Sequence, residues 1–246
     1  MDGHSSGTAL VTGGAGGIGK AIVAALAASG RRVVIADLDA AAAAALAAEL
    51  GPAAFPLALD VTDAAAVDRL LDDLPEPFRP IECLVNNAGH DIGGRTRFDL
   101  GTADDWASII DTNLKGTMRV TRSVIAGMVA RDRGDIVNVS SISAIRQVPD
   151  MVAYTTSKAG IHAFSDILRA DLAETRVRVT EILPGLTRTG IILKRHRGDE
   201  AAERDYFERY QLALEPEDVA RAVMFALAQP PHMQIAQIFL LPVNRW

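Results

Sequence analysis

The sequence predicts an α/β fold: a parallel, seven-stranded sheet wound in both directions, with helices on both faces. Three observations carry that prediction. Seven short runs rich in apolar and β-branched residues recur along the chain, helical patterns separate them, and a glycine-rich turn joins the first run to the first helix. Strands that alternate with helices need crossover connections, which make the strands parallel and cover both faces. Ligands of such a sheet bind outside the carboxyl ends of its strands.

The elements follow in order. A strand over 8–12 precedes a helix over 17–29; a strand over 32–36 precedes a helix over 40–50; a strand over 54–59 precedes a helix over 64–74. The alanine-rich stretch is an ordinary helix, because alanine is the best helix former and Leu46 and Leu50 fall four apart on one face. A strand over 81–86 leads to a long helix over 103–131, one over 135–140 to a helix over 152–174, and one over 176–183 to a polar stretch. A helix over 217–228 and a strand over 235–241 close the series. No repeat or linker divides the chain, so residues 1–246 are expected to form a single dinucleotide-binding domain.

With 246 residues and 49% apolar content, the chain can fill a sizeable core, and a charged fraction of 23% argues against disorder. A net charge of −6 with no basic run argues against nucleic acid as a partner. Cys83, the single cysteine, sits in an apolar run and is expected to be a small buried hydrophobe. No metal site is expected, since His90, His162, His196 and His232 lack ligand spacing. Without an apolar leader or an 18-residue apolar span, a cytoplasmic protein is expected.

Thr8–Thr12 runs directly into Gly13-Gly14-Ala15-Gly16-Gly17-Ile18-Gly19. Glycines let a backbone turn tightly and approach a pyrophosphate, and the following helix offers free N–H groups to the anion. Two registers fit: Gly14, Gly16 and Gly19, or Gly13, Gly17 and Gly19. Asp37, 18 residues after Gly19, can accept both adenosine-ribose hydroxyls and would repel a 2′-phosphate. NAD is therefore expected in preference to NADP, with Lys20, Arg31 and Arg32 as the nearby cations that argue the other way.

Tyr154 and Lys158 stand four apart, hence on one helix face. An ammonium beside a phenol favours the phenolate and suits a general acid/base near neutral pH. Ser141, at the end of the preceding strand, can hydrogen-bond a substrate oxygen. Asn113 is a polar residue in an apolar-periodic helix, which alone reads as a buried or capping amide.

In this order and company, the motifs resemble the classical short-chain dehydrogenase/reductase family, a Rossmann-type fold, over about residues 7–241: Thr12-Gly13 with Gly17-Ile18-Gly19, Asp37, Asp60-Val61, Asn86-Asn87-Ala88-Gly89, Asn113, Ser140-Ser141, Tyr154 with Lys158, and Pro184-Gly185 with Thr189. The resemblance implies an alcohol dehydrogenase or carbonyl reductase in which Tyr154 moves the proton, Lys158 lowers its pKa and holds the nicotinamide ribose, Ser141 orients the carbonyl and Asn113 anchors a relay water. It places Asp37, Leu38, Asp60 and Val61 around adenosine. Asn87, Ala88 and Gly89 would lie on the ribose side, and Pro184, Gly185, Thr187 and Thr189 by the nicotinamide. It also selects the Gly13/Gly17/Gly19 register, and implies a homotetramer or dimer.

The C-terminal stretch resembles a subgroup with serine, 3-hydroxy acid and clavulanate-type dehydrogenases. Many of that subgroup carry a basic residue where this chain has Asp37 and use NADP. A small polar alcohol or carbonyl compound is expected as substrate, with a 3-hydroxy acid or its semialdehyde as the candidate. The alternatives are an NADP-dependent reductase of the same family and a dinucleotide-sensing protein without turnover. Residues 186–214 are expected to form a lid, where Arg188, Lys194, Arg195 and Arg197 either grip an anionic substrate or form a solvated face. Arg146, Gln147 and His90 are candidate pocket walls.

Overall fold

In the computed structural model, which describes residues 7–243, the seven apolar runs become β1 (Thr8–Thr12), β2 (Arg32–Asp37), β3 (Ala54–Ala58), β4 (Ile81–Asn86), β5 (Gly134–Val139), β6 (Val177–Pro184) and β7 (Gln237–Leu240). They form one sheet in the order β3-β2-β1-β4-β5-β6-β7, and every pairing is parallel. The direction of strand addition reverses between β1 and β4. A crevice opens at such a point, beyond the carboxyl ends.

Alternation along each strand sorts side chains between two apolar layers. Ala9, Val11, Val33, Ile35, Cys83 and Val85 face α1 (Gly17–Ala28), α2 (Ala40–Leu50) and α9 (Pro216–Leu227), which contribute Ile22, Leu26, Leu46 and Val223. Leu10, Val34, Leu84 and Ile136 face the opposite layer, with Val67 from α3 (Ala64–Arg69) and Val120, Val124 and Met128 from α5 (Thr117–Ala130). Burial pushes the Cys83 thiol up to about 12, so it packs as an unreactive hydrophobe.

Two sequence expectations are corrected. The helix expected over 103–131 is broken into α4 (Ala103–Ile110), a π-helical turn at Asp111–Gly116 and α5. Apolar periodicity cannot register that turn. At Gly116 an added Cβ would stand 2.6 Å from Val61, so close packing there requires glycine. The polar stretch after β6 holds two helices, α7 (Ile191–Arg195) and α8 (Glu200–Arg209); α7 has only five residues, too few to show a helical period, and α8 buries no residue and so carries little apolar signal. Backbone bonds from Leu214 N to Leu186 O and from Arg188 N to Leu214 O, each 2.8 Å, close the base of this segment. The helix after β5, α6, covers Val152–Asp171. Among the described residues no helix is long and apolar enough to cross a membrane.

Candidate active site

The glycine turn is held from two sides. Asn87 Nδ2 donates to the carbonyls of Thr12 and Gly13 at 3.1 and 2.9 Å, and the Thr12 hydroxyl accepts the N–H groups of Asn87 and Ala88 at 3.0 and 3.1 Å. Asn87 thus straps β1 to β4 across the crevice, a contact between residues 75 apart. Gly13 (φ 60°) and Gly17 (φ 48°) take left-handed backbone that other residues rarely adopt, and a Cβ on Gly19 would collide with the Gly13 carbonyl. A Cβ on Gly16 would meet nothing within 4 Å. Glycine is therefore demanded at 13, 17 and 19, and also at 14, where a Cβ would stand 2.9 Å from the Val11 carbonyl; of the turn's glycines, Gly16 is the one under no such demand, which favours the Gly13/Gly17/Gly19 register. The first turn of α1, which contains Ile18, receives no side-chain cap and carries no acid, so its N–H groups suit a pyrophosphate.

Asp37 ends β2 with Oδ2 accepting the Ala15 N–H at 2.9 Å and Oδ1 accepting that of Asp39 at 3.0 Å. The cap of α2 is Asp39, which accepts from Ala42 N. Asp37 is left for the crevice, with the exposed Leu38 beside it. Asp60 follows β3, next to β2 in the sheet, and accepts the N–H and hydroxyl of Thr62 at 2.8 and 2.7 Å; Val61 is buried.

Ser141 follows β5 and lines a cleft of about 400 Å³ together with Tyr154, Ile18, Pro184, Gly185, Thr187 and Thr189. Lys158 lies one turn below Tyr154, buried, and donates to the Val139 carbonyl at 3.0 Å. Its Nζ stands 5.8 Å from the centre of the Tyr154 ring. The expected depression of the phenol pKa is not found. Burial pushes Tyr154 above its ordinary value, Ser141 and Arg195 pull it down and Asp91 pushes it further up. Burial also lowers Lys158 to about 8, against Glu181 and Asp91, which raise it. Desolvation outweighs pairing here because the ammonium is bonded to a carbonyl and not to the phenol.

Asn113 sits in the π-helical turn with its amide bonded at both ends: Nδ2 donates to His90 O at 3.0 Å and to Ser157 Oγ at 3.1 Å, and Oδ1 accepts His90 N–H at 2.9 Å. It clamps the loop after β4 onto α6. Gly89 packs against it, since a Cβ there would lie 3.0 Å from Asn113 Oδ1.

Of the four lid cations only Arg195 lines the cleft. Arg188 pairs with Glu215 at 3.2 Å and covers Phe207, Arg197 pairs with Asp105 at 2.6 Å, and Lys194 is exposed. Arg146 lines the cleft as expected, whereas Gln147 and His90 do not. Three cleft-wall or supporting residues escaped the sequence reading: Arg95, Tyr206 and Asp91, the last buried against Arg195. An aspartate and an arginine in the polar loop after Asn-Asn-Ala-Gly were a visible signal, but the partner of Asp91, Arg195, lies in the lid 104 residues away.

The comparisons with known proteins agree with this geometry. The family model described as short chain dehydrogenase matches residues 7–200. A probable NADP-dependent dehydrogenase of Haemophilus influenzae is 38% identical over 238 residues, 96% of this chain and 93% of that one. The NADP-dependent 3-hydroxy acid dehydrogenase of Salmonella typhi is 36% identical over 237 residues, covering 96% and 95%. Among solved structures, the closed form of serine dehydrogenase complexed with NADP+ superposes with a TM-score of 0.93 at 35% identity, covering 97% of this chain and 96% of the other. The chain belongs to the short-chain dehydrogenase family.

Proposed function

We propose that this chain is a nicotinamide-dependent oxidoreductase that interconverts a small anionic hydroxy acid and its carbonyl form. One observation carries the substrate class. The cleft that contains Ser141 and Tyr154 is lined by Arg95, Arg146 and Arg195, and no aspartate or glutamate lines it among the described residues. Carboxylate and sulfonate groups bind best to such guanidinium clusters. The 3-hydroxy acid and serine dehydrogenase relatives point the same way.

A nicotinamide dinucleotide held by the glycine turn and the cleft would supply or take the hydride at the carbinol carbon. The chain's own residues handle the oxygen. Ser141 donates a hydrogen bond to it, and Tyr154 gives the proton during reduction and takes it back during oxidation. A phenol ordinarily keeps its proton at neutral pH, and burial pushes Tyr154 further that way, so the side chain can act as the acid in carbonyl reduction. Lys158, next to the ring, favours the phenolate that oxidation requires. Asn113 supports the reaction by holding the loop after β4 against α6 and, as a relay residue, by anchoring a water.

The relatives support a nicotinamide dinucleotide, and those named here specify NADP, so they lend NAD no preference. Asp37 is the observation that favours NAD. Arg32 cannot offset it, because it stands at the opposite end of β2, about 16 Å away at ~3.3 Å per residue, and Arg31 precedes the strand. The test is absorbance at 340 nm with each dinucleotide against serine, 3-hydroxypropanoate and neutral secondary alcohols. Turnover of the acids that drops about 10²–10⁴-fold in Tyr154→Phe is expected. Turnover confined to neutral alcohols would sink the anionic reading.

A further inference from the structure

One buried ion pair stands at the cleft wall and has no part in the proton transfer. Arg195 Nε, at the end of α7, donates to Asp91 Oδ2 in the loop after β4 at 2.7 Å, and the side chains are only 8% and 2% exposed. The loop comes this close because Gly94 (φ 66°) has no side chain; a Cβ there would meet Arg195 Cγ at 3.2 Å. The Tyr206 ring, 5.6 Å from the guanidinium carbon, lies against Arg195. Among the described residues the Nε bond is the one hydrogen bond Arg195 makes, so its two Nη groups have no protein acceptor on a side chain that lines the cleft. Asp91 does not line that cleft. It lines a smaller cavity of about 150 Å³, so the pair stands between the two spaces.

We propose that Asp91 is a positioning residue: it holds the Arg195 guanidinium by Nε so that the two Nη groups receive the carboxylate or sulfonate of the substrate while Ser141 and Tyr154 hold the reacting oxygen. A guanidinium gripped on one edge keeps its Nη end for a second, bidentate partner, and a rotamer held in advance loses less freedom on binding. A cation buried here without Asp91 would either withdraw towards solvent or rearrange, because an unpaired buried charge is costly. The proposal rests on the anionic hydroxy-acid reading above and narrows it to one donor.

The test compares 3-hydroxypropanoate with its methyl ester, which has the same carbinol and no charge, at saturating dinucleotide in wild type, Asp91→Ala and Asp91→Asn. The ratio of kcat/KM for acid over ester should fall about tenfold in Asp91→Ala, through KM for the acid. Asp91→Asn keeps an oxygen for the Nε–H and should recover part of it; this variant carries the test should Asp91→Ala not fold. An unchanged ratio, or equal losses on acid and ester, overturns the proposal. Calorimetric titration with propanoate reads the same grip without turnover: about tenfold weaker binding in Asp91→Ala is expected, and equal affinities overturn it. Wild-type protein that turns over neither compound yet binds propanoate through Asp91 would remove the proposed reaction and leave this inference standing. Protein that does neither removes both.

Discussion

Asp37 Oδ2 accepts the backbone N–H of Ala15 at 2.9 Å, which ties the end of β2 to the glycine turn. The carboxylate that would meet the adenosine ribose is thus part of the turn that would meet the pyrophosphate. Asp37→Asn keeps an oxygen for Ala15 and removes the charge. The ratio of kcat/KM for NADP over NAD should rise about tenfold, whichever dinucleotide wild type prefers, because removal of a like charge near a phosphate is worth roughly 1.4 kcal/mol. Steady-state kinetics with both dinucleotides measure it; an unchanged ratio would place the 2′ position elsewhere.

Gly16→Ala and Gly19→Ala form a matched pair. The first adds a methyl to open space at φ −139°, while the second drives one into the Gly13 carbonyl and to within 2.7 Å of Asn87 Nδ2. Dinucleotide binding, followed by quenching of protein fluorescence, should be retained in Gly16→Ala and reduced at least tenfold in Gly19→Ala. Equal behaviour of the two would contradict the register assigned to the turn.

Asn113→Ala would remove three hydrogen bonds at once and take away the acceptor of the His90 N–H and the donor to the His90 carbonyl, while Ser157 Oγ keeps its 2.7 Å bond to the Tyr154 carbonyl. Loss of buried partners costs about 1–3 kcal/mol. For a chain of this size that lowers Tm by several degrees, at roughly 2–4 °C per kcal/mol. Thermal unfolding followed by circular dichroism would show it; a Tm within one degree or so of wild type, an approximate allowance on that same scale, would mean the clamp contributes nothing.

Asp91 gives a pH signature. Burial raises its carboxyl from 3.8 to about 6, against Arg195, which lowers it. Between these values the folded chain holds a proton that the unfolded chain has released, so this residue's contribution to stability falls as pH rises from about 4 to about 6 and is level above that. The wild-type advantage over Asp91→Asn should therefore shrink through this window by on the order of 2–3 kcal/mol. Urea unfolding at the two ends of the window reads the difference. Parallel stability curves for the two proteins would refute the raised value.

Much of the site was legible because its residues are set by local chemistry. A turn that must take left-handed φ needs glycine, a helix N-terminus needs a cap, and Tyr154 and Lys158 share a face through helical spacing alone. The π-helical turn was not legible. Residues 103–131 keep helical apolar periodicity across it, and the clamp that goes with it joins Asn113 to His90 and Ser157, 23 and 44 residues away. The partner of the Lys158 ammonium was not legible for a similar reason. Spacing places Lys158 near Tyr154, but the Val139 carbonyl, 19 residues away, takes the ammonium's hydrogen bond.

The sequence by itself determined the alternating strands, the glycine turn, the acid after β2 and the family to which they belong, because periodicity and backbone conformation are properties of neighbours along the chain. Only the tertiary structure decided which lid arginine enters the cleft and what holds it. Arg188, Lys194, Arg195 and Arg197 are equivalent as a string of charges. They differ because the sheet brings the loop after β4 beneath α7, where Asp91 meets Arg195 across 104 residues while Arg188 and Arg197 pair with Glu215 and Asp105 instead.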